Sequence, residues 1–183
     1  MNVFVGCSSR NVTDNVKWSR YCTATLEVTK FIIAHKLTLV FGGCIRGLMG
    51  LMYKCLLLNK ANITVAIPQA YINDAEELFY NNLYAFNTVS ERKDWIFNNT
   101  SMHIFLPGGI GTIDELFSSI EAKRCGEHNS PIIIINEQGY FNDVLHVLAR
   151  AYDEGFADEK NAKLYTVVNS TCEIVPTLEK FLA

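Results

Sequence analysis

The chemistry-bearing residues are densest at Leu106-Pro107-Gly108-Gly109-Ile110-Gly111-Thr112-Ile113-Asp114-Glu115. Glycines at 108, 109 and 111 admit backbone conformations closed to other residues, so the loop can turn a set of N–H groups toward an anion such as a phosphate. Thr112 adds a hydroxyl at the start of the helix that follows. Glu115, three residues on, shares nearly the same helix face. Thr-x-x-Glu also reads as a capping box, in which the carboxylate serves only the helix end. A carboxylate beside a phosphate nest costs electrostatic energy, however, which favours a chemical use for it.

Three further segments have suitable residue types. In Gly6-Cys7-Ser8-Ser9-Arg10 the Ser8 hydroxyl can meet a phosphate or ribose, or simply complete a turn. Gly42-Gly43-Cys44-Ile45-Arg46-Gly47-Leu48-Met49-Gly50 is a glycine-rich loop opening into a helix, which suits an anion. It is neither G-x-G-x-x-G nor a Walker A loop, so classical dinucleotide binding and P-loop hydrolysis lose ground. Ser90-Glu91-Arg92-Lys93 sets two cations at a helix start, against the helix dipole. A nearby anion offsets that cost; a solvated charged turn is the plainer alternative.

These segments must be held by a scaffold, and the sequence alternates β-rich runs with amphipathic stretches. Strands are expected at 2–6, 37–41, 62–67, 84–89, 102–106, 131–135 and 164–168. Helices are expected at 14–35, with Asp14 as N-cap, and at 47–59, 90–100, 112–125, 139–153 and 172–182. Several strands are continuously apolar, as strands covered on both faces are. The alternation predicts an α/β fold, a Rossmann-like doubly wound parallel sheet forming one domain over 1–183. Ligands in such sheets bind beyond the carboxyl ends of the strands, where all four segments fall. The irregular segment 69–83 reads as a loop near that edge.

With 183 residues, 49% of them hydrophobic and 19% charged, the chain has ample material for a core without a metal or disulfide staple. A formal net charge of −3 argues against a nucleic-acid-coating surface. Six cysteines without a C-x-x-C pair, and no charged or apolar leader, read as reduced thiols in a cytoplasmic protein. Cys7 and Cys44 follow strands at the ligand edge, where bound ligand is expected to shield them from alkylation. His35, His103, His128 and His146 lack ligand spacing, so no metal is assigned. No apolar run approaches the ~20 residues of a membrane span. The stripe Ile113, Leu116, Phe117 and Ile120 reads as core or subunit contact.

Pro107-Gly108-Gly109-Ile110-Gly111-Thr112-Ile113-Asp114-Glu115 resembles the P-G-G-x-G-T-x-x-E motif of the Lonely Guy (LOG) phosphoribohydrolases, many formerly labelled lysine decarboxylases. Arg92-Lys93, Gly42-Gly43, Gly47-Leu48-Met49-Gly50, Gly139-Tyr140-Phe141 and Glu154-Gly155-Phe156 are similar to further family segments. The resemblance spans residues 2 to about 156. It implies a Rossmann-like homodimer or larger homo-oligomer with no cofactor. It also implies hydrolysis of the N-glycosidic bond of a nucleoside 5′-monophosphate, AMP or N6-substituted AMP, to free base and ribose 5-phosphate. On that basis Arg92 and Glu115 are catalytic. Ser8, Gly43, Arg92, Lys93, Gly108, Gly109, Ile110, Gly111 and Thr112 contact the substrate. No pyridoxal-phosphate lysine motif supports the decarboxylase label. Cys44 stands where many members have a third glycine, and Glu121-Ala122-Lys123-Arg124-Cys125-Gly126 replaces an apolar-aromatic stretch. Asp74 and Glu76 lie near a family acidic position. The rival readings are a non-hydrolytic nucleotide or molybdenum-cofactor carrier, which needs the phosphate nest without the carboxylate, and a nucleosidase of broader scope.

Overall fold

Four consecutive isoleucines, Ile132–Ile135, form a strand whose side chains enter two separate cores in alternation. Ile133 and Ile135 join Val3, Val5, Leu39 and Phe41 in one core. Ile132 and Ile134 join Phe4, Val40, Phe105 and Leu116 in the other. Period-two alternation in a strand buried on both faces divides one apolar run between two layers of helices.

The computed structural model describes residues 1–182; the side chains of Asp74 and Glu159 lie outside that description. The strands are β1 (Asn2–Gly6), β2 (Thr38–Phe41), β3 (Ile63–Pro68), β4 (Asn82–Phe86), β5 (Met102–Phe105), β6 (Ile132–Ile135) and β7 (Tyr165–Val168). The helices are α1 (Asn15–Ala34), α2 (Gly47–Leu58), α3 (Val89–Asn99), α4 (Ile110–Arg124), α5 (Asn142–Asp153) and α6 (Ile174–Glu179). Every adjacent strand pair is parallel, in the order β4-β3-β2-β1-β5-β6-β7. This is the expected doubly wound α/β sheet. The chain lays down β1 to β4 outward on one side, then crosses to place β5 on the other side of β1. The carboxyl ends of β1 and β5 therefore flank the switch point, where this architecture opens a crevice.

Several boundaries depart from the sequence expectation by two or three residues: β4 begins at 82 rather than 84, α5 at 142 rather than 139, and α6 runs 174–179 rather than 172–182; two further ones bear on the site. Strand β4 ends at Phe86 rather than 89, because Thr88 caps α3 in a full capping box with Glu91. The Thr88 hydroxyl accepts from Glu91 N–H at 3.1 Å, and the Glu91 carboxylate accepts from Thr88 N–H at 3.3 Å. Helix α4 starts at Ile110 rather than 112, so Thr112 and Glu115 are not a capping box; its N-cap is Gly109, with no side-chain cap. The candidate capping box at Thr112 is thus corrected, and Glu115 is released from that duty.

Segment 69–83 is less irregular than expected. It forms 3₁₀ turns over Gln69–Ala75, buries Ala75 and Leu78, and ties down at Phe79, whose N–H donates to the Tyr53 hydroxyl at 2.8 Å. Asp14 caps α1 as expected, its carboxylate accepting from Val16 and Lys17 N–H at 2.9 and 3.0 Å.

Helix α4 is pinned from below. Buried His103 of β5 shares a 2.8 Å hydrogen bond with Ser119 Oγ, and His128 Nε2–H donates to the Ser119 carbonyl at 2.9 Å. Burial pushes His103 down to about 3, with His128 and Lys123 adding to the effect. His103 is therefore neutral in the folded protein at any physiological pH. The helix that carries Glu115 is fixed in rotation by these contacts.

Candidate active site

The site is assembled from loops far apart in sequence. Ser8 N–H donates to the Pro107 carbonyl at 3.0 Å, and Met49 N–H donates to the Ser8 carbonyl at 3.1 Å, locking the β1, β2 and β5 loops together. Gly47 sits at φ +63, and a Cβ there would lie 2.5 Å from Ser8 O, so the interlock demands glycine. Ser8 Oγ is turned inward and accepts from Arg10 N–H at 3.0 Å. That bond completes the turn, and Ser8 also lines the smaller of two adjoining clefts.

Beneath the carboxyl ends of the strands lies one ion pair. Arg92 of α3 and Glu115 of α4 meet at 2.6 Å, and each is more than nine-tenths buried, at 6% and 7% exposure. Arg92 Nε–H also donates to the Ala66 carbonyl at the end of β3, at 2.7 Å. The strand ends above the pair are stripped of side chains. A Cβ on Gly6 would lie 3.1 Å from Glu115 Oε2, and one on Gly42 would lie 3.3 Å from Arg92 Nη2. Gly43 next to it has φ +79, and a Cβ there would meet Val65 at 2.8 Å. Burial pushes the Glu115 carboxyl above the ordinary carboxylate range, and the charge and hydrogen bond of Arg92 pull against it.

The second component is the N-terminus of α4. Among the described residues, none of the N–H groups of Gly108, Gly109, Ile110, Gly111 and Thr112 finds a hydrogen-bond acceptor within the chain. Five amides without a partner on a 15-residue helix and its lead-in, with the helix dipole behind them, make a nest of a kind that suits an anion. The nest is held in shape by Tyr140, whose hydroxyl donates to the Gly108 carbonyl. A Cβ on Gly108 would fall 2.1 Å from Thr112 Oγ1. Ile110 takes part through its backbone alone, since its side chain is 89% exposed. Glu115 lies five residues into the same helix, about 7.5 Å along the axis, with its side chain leaning back toward the nest.

The ion pair and, of the nest, Gly108 and Gly109 open on two adjoining clefts; Ile110, Gly111 and Thr112, also expected on the substrate, line neither. Ser8, Pro107, Gly108, Gly109 and Tyr140 line the smaller; Gly42, Gly43, Arg92 and Glu115 line the larger, of about 1140 Å³. Arg10, Asn11 and Trp18 border both. Lys93, expected on the substrate, lines neither. Its ammonium lies 2.9 Å from both carboxylate oxygens of Asp114 and 2.9 Å from Ser118 Oγ, so all its donors are engaged in bracing α3 against α4. Cys44 lines the larger cleft and is half-buried. Cys7 is buried out of reach, and burial pushes its thiol up, with the Glu115 charge adding to the shift. The expected shielding of both thiols by ligand is corrected to Cys44 alone. Among the described residues, no three His, Cys, Asp or Glu side chains converge as a metal site requires, and no helix is long and apolar enough to cross a membrane.

Residues 49–178 match a protein family described as "possible lysine decarboxylase". A rice protein named probable cytokinin riboside 5′-monophosphate phosphoribohydrolase LOG4 is 31% identical over 166 residues, 89% of this chain and 71% of that protein. Arabidopsis thaliana LOG5, named a cytokinin riboside 5′-monophosphate phosphoribohydrolase, is 28% identical over 180 residues, 98% of this chain and 76% of that one. The chain belongs to the LOG family. Among solved structures, the Moco carrier protein of Chlamydomonas reinhardtii superposes with a TM-score of 0.68 at 16% identity, covering 99% of this chain and 96% of that one. The molybdenum cofactor binding protein of Rippkaea orientalis gives 0.67 at 11% identity, covering 100% and 96%. At those identities the two confirm the Rossmann-like fold alone.

Within this LOG-family chain, sequence reasoning missed four participants. Trp18 and Tyr71 border the larger cleft from α1 and from the turns after β3. The Ala66 carbonyl orients Arg92, and Asp114 removes Lys93 from the cleft. A backbone carbonyl has no sequence signal. Asp114 was legible only as the middle of a motif whose ends drew the attention. The side chain of Asp74, expected near a family acidic position, lies outside the described residues; Glu76 is exposed and borders neither cleft.

Proposed function

We propose that this protein hydrolyses the N-glycosidic bond of a purine nucleoside 5′-monophosphate, releasing free base and ribose 5-phosphate. The observation that carries this reading is the buried Arg92–Glu115 pair set beside a run of amides without a partner at the start of α4. A nest alone suits any phosphate ligand. A buried carboxylate within a ribose's length of it is costly unless positive charge develops there.

In this reading the 5′-phosphate accepts hydrogen bonds from the amides of Gly108 to Thr112. That anchors C1′ near Glu115. Cleavage of the C1′–N bond builds oxocarbenium-like charge on the ribose, which the Glu115 carboxylate stabilises, as glycosidase carboxylates do. Glu115 also accepts a proton from the attacking water. The water oxygen bonds to C1′ as the C1′–N bond breaks, and the bond electrons leave with the base. The base takes a proton at nitrogen from solvent, and Glu115 then returns to solvent the proton it took from the water. Burial makes Glu115 a stronger base than a solvated carboxylate, and Arg92 keeps its ionised form available. Arg92 itself is too weak an acid to protonate the base; it orients Glu115 and offers Nη2 to the cleft. The names of the relatives support the reaction class, and a homodimer is proposed with it.

The test is chromatography of products from AMP, isopentenyl-AMP and the matching nucleosides. Base released from a monophosphate and not from its nucleoside is expected. In Glu115→Gln, nucleotide affinity is retained and base release falls at least 100-fold. Normal turnover by that variant removes Glu115 from the mechanism. Binding without release by the wild type indicates a carrier.

A further inference from the structure

The larger cleft holds more positive charge than a nucleoside monophosphate uses. Four cations line it, Arg10, Arg46, Lys54 and Arg92, against one carboxylate, Glu115. Glu115 neutralises Arg92. None of the ion pairs among the described residues includes Arg10, Arg46 or Lys54. A chain with net charge −3 thus gathers three uncompensated cations on one concave surface. Clefts of one sign focus the field on an oppositely charged ligand.

Two of these cations belong to the α2 segment: Arg46 is the extended N-cap residue before the helix, and Lys54 lies within it. Gly50 lies between them in sequence, in the first turn of the helix. Gly50 has no room for a side chain, since a Cβ there would lie 2.0 Å from the Ile45 carbonyl. The Ile45 backbone therefore packs directly on the helix there, and Arg46 and Lys54 lie to either side of that contact. At about 1140 Å³ the cleft also exceeds the roughly 300–1,000 Å³ typical of small-molecule sites.

This inference rests on the phosphoribohydrolase reading. With the 5′-phosphate on α4 and C1′ over Glu115, the base extends past Gly42 and Gly43 toward the exposed face of α2. Any group on its far edge then meets Arg46 and Lys54. An aliphatic substituent gains nothing there; a carboxylate gains charge-assisted hydrogen bonds. We propose that the preferred substrate is a purine nucleoside 5′-monophosphate whose exocyclic nitrogen bears a carboxylate-containing substituent.

The probe is N6-(1,2-dicarboxyethyl)-AMP, compared with AMP and isopentenyl-AMP by calorimetry on Glu115→Gln, in which turnover is blocked. The dicarboxylate is expected to bind at least 10-fold tighter than either. That ratio should shrink as potassium chloride rises from 50 to 300 mM, and fall to within 2-fold when Arg46→Gln and Lys54→Gln are added. Both side chains are exposed, so the fold tolerates their change. Equal affinities, or a preference that survives the double substitution, overturn the proposal. Base release by the wild-type protein is scored separately. Binding with the expected ratio but no release upholds the charged subsite and overturns the hydrolytic reading. Release from AMP without the ratio does the reverse. If no nucleotide binds, both fall.

Discussion

Replacing Arg92 with Met removes one partner of a buried ion pair and leaves the other. Glu115, 7% exposed, then has no opposing charge within hydrogen-bond reach among the described residues, because Lys93 is committed to Asp114. Breaking a buried pair from one side costs about 3–5 kcal/mol. For a domain of this size that corresponds to a fall in Tm of roughly 6–20 °C. The cost carries a pH signature. Burial already raises the Glu115 carboxyl, and without Arg92 only the weaker pull of the Lys93 charge opposes it, so its folded pKa climbs further above the ordinary glutamate value of about 4.3. Above that value the unfolded chain has released the proton while the folded one retains it. Stability therefore falls with rising pH, by about 1.4 kcal/mol per unit, until the folded pKa is passed. Urea unfolding of Arg92→Met at pH 5, 6, 7 and 8, with the wild type alongside, reads this directly. Adding Glu115→Leu removes the stranded carboxyl and recovers most of the loss. A penalty below 1 kcal/mol, or one independent of pH with no recovery in the double variant, would refute the account of a desolvated, mutually dependent pair.

Other outcomes can be stated with it. His103, held at about 3 by burial against an unfolded value near 6.5, remains neutral while the unfolded chain takes up a proton. Stability is thus complete above about pH 6.5 and lost as pH falls toward 3, by about 2 kcal/mol at pH 5; His103→Gln flattens that part of the urea-midpoint profile. Gly108→Ala sets a Cβ 2.1 Å from Thr112 Oγ1 and 2.6 Å from its Cβ, so no rotamer relieves it. It should cost about 1–3 kcal/mol and weaken AMP binding at least 10-fold by calorimetry. In Gly111→Ala, where a Cβ meets nothing within 4 Å, stability should move by less than 1 kcal/mol. Peptide mapping after maleimide treatment should show Cys125 and Cys172 modified fastest, Cys44 slowed by AMP, and Cys7 unmodified until the protein unfolds. Equal Cys44 rates with and without AMP would place the nucleotide elsewhere.

The fold was legible because both of its signals are local. Continuous apolar runs such as 132–135 mark doubly covered strands, and the amphipathic stretches between them force parallel crossovers. The run of amides without a partner from Gly108 to Thr112 could be anticipated too, since glycine spacing fixes what backbone can do. Pairings were not legible where they depend on how helices lie against one another. Arg92 and Lys93 are adjacent and chemically alike, yet one turns under the sheet to Glu115 and the other outward to Asp114. Which of two neighbouring cations reaches the cleft is set by the angle between α3 and α4. Likewise two Thr-x-x-Glu motifs offer the same capping chemistry. Only Thr88 to Glu91 uses it, because the glycines before Thr112 let α4 begin earlier.

Strand β1 lies at the centre of the sheet, with Val3 in register against Leu39 on one side and Met102 on the other. The first partner is synthesised early and the second about sixty residues later. At roughly 5–20 residues per second the nascent chain holds β1 half-paired for several seconds. Through that interval Val3, Phe4 and Val5 border an open, apolar strand edge that invites pairing with another chain. Glu115, emerging later still, cannot meet Arg92 until β5 has closed that edge. Strand β1 is thus the segment most exposed to misassembly, and this chain is expected to depend on chaperone cover during synthesis far more than its finished stability suggests.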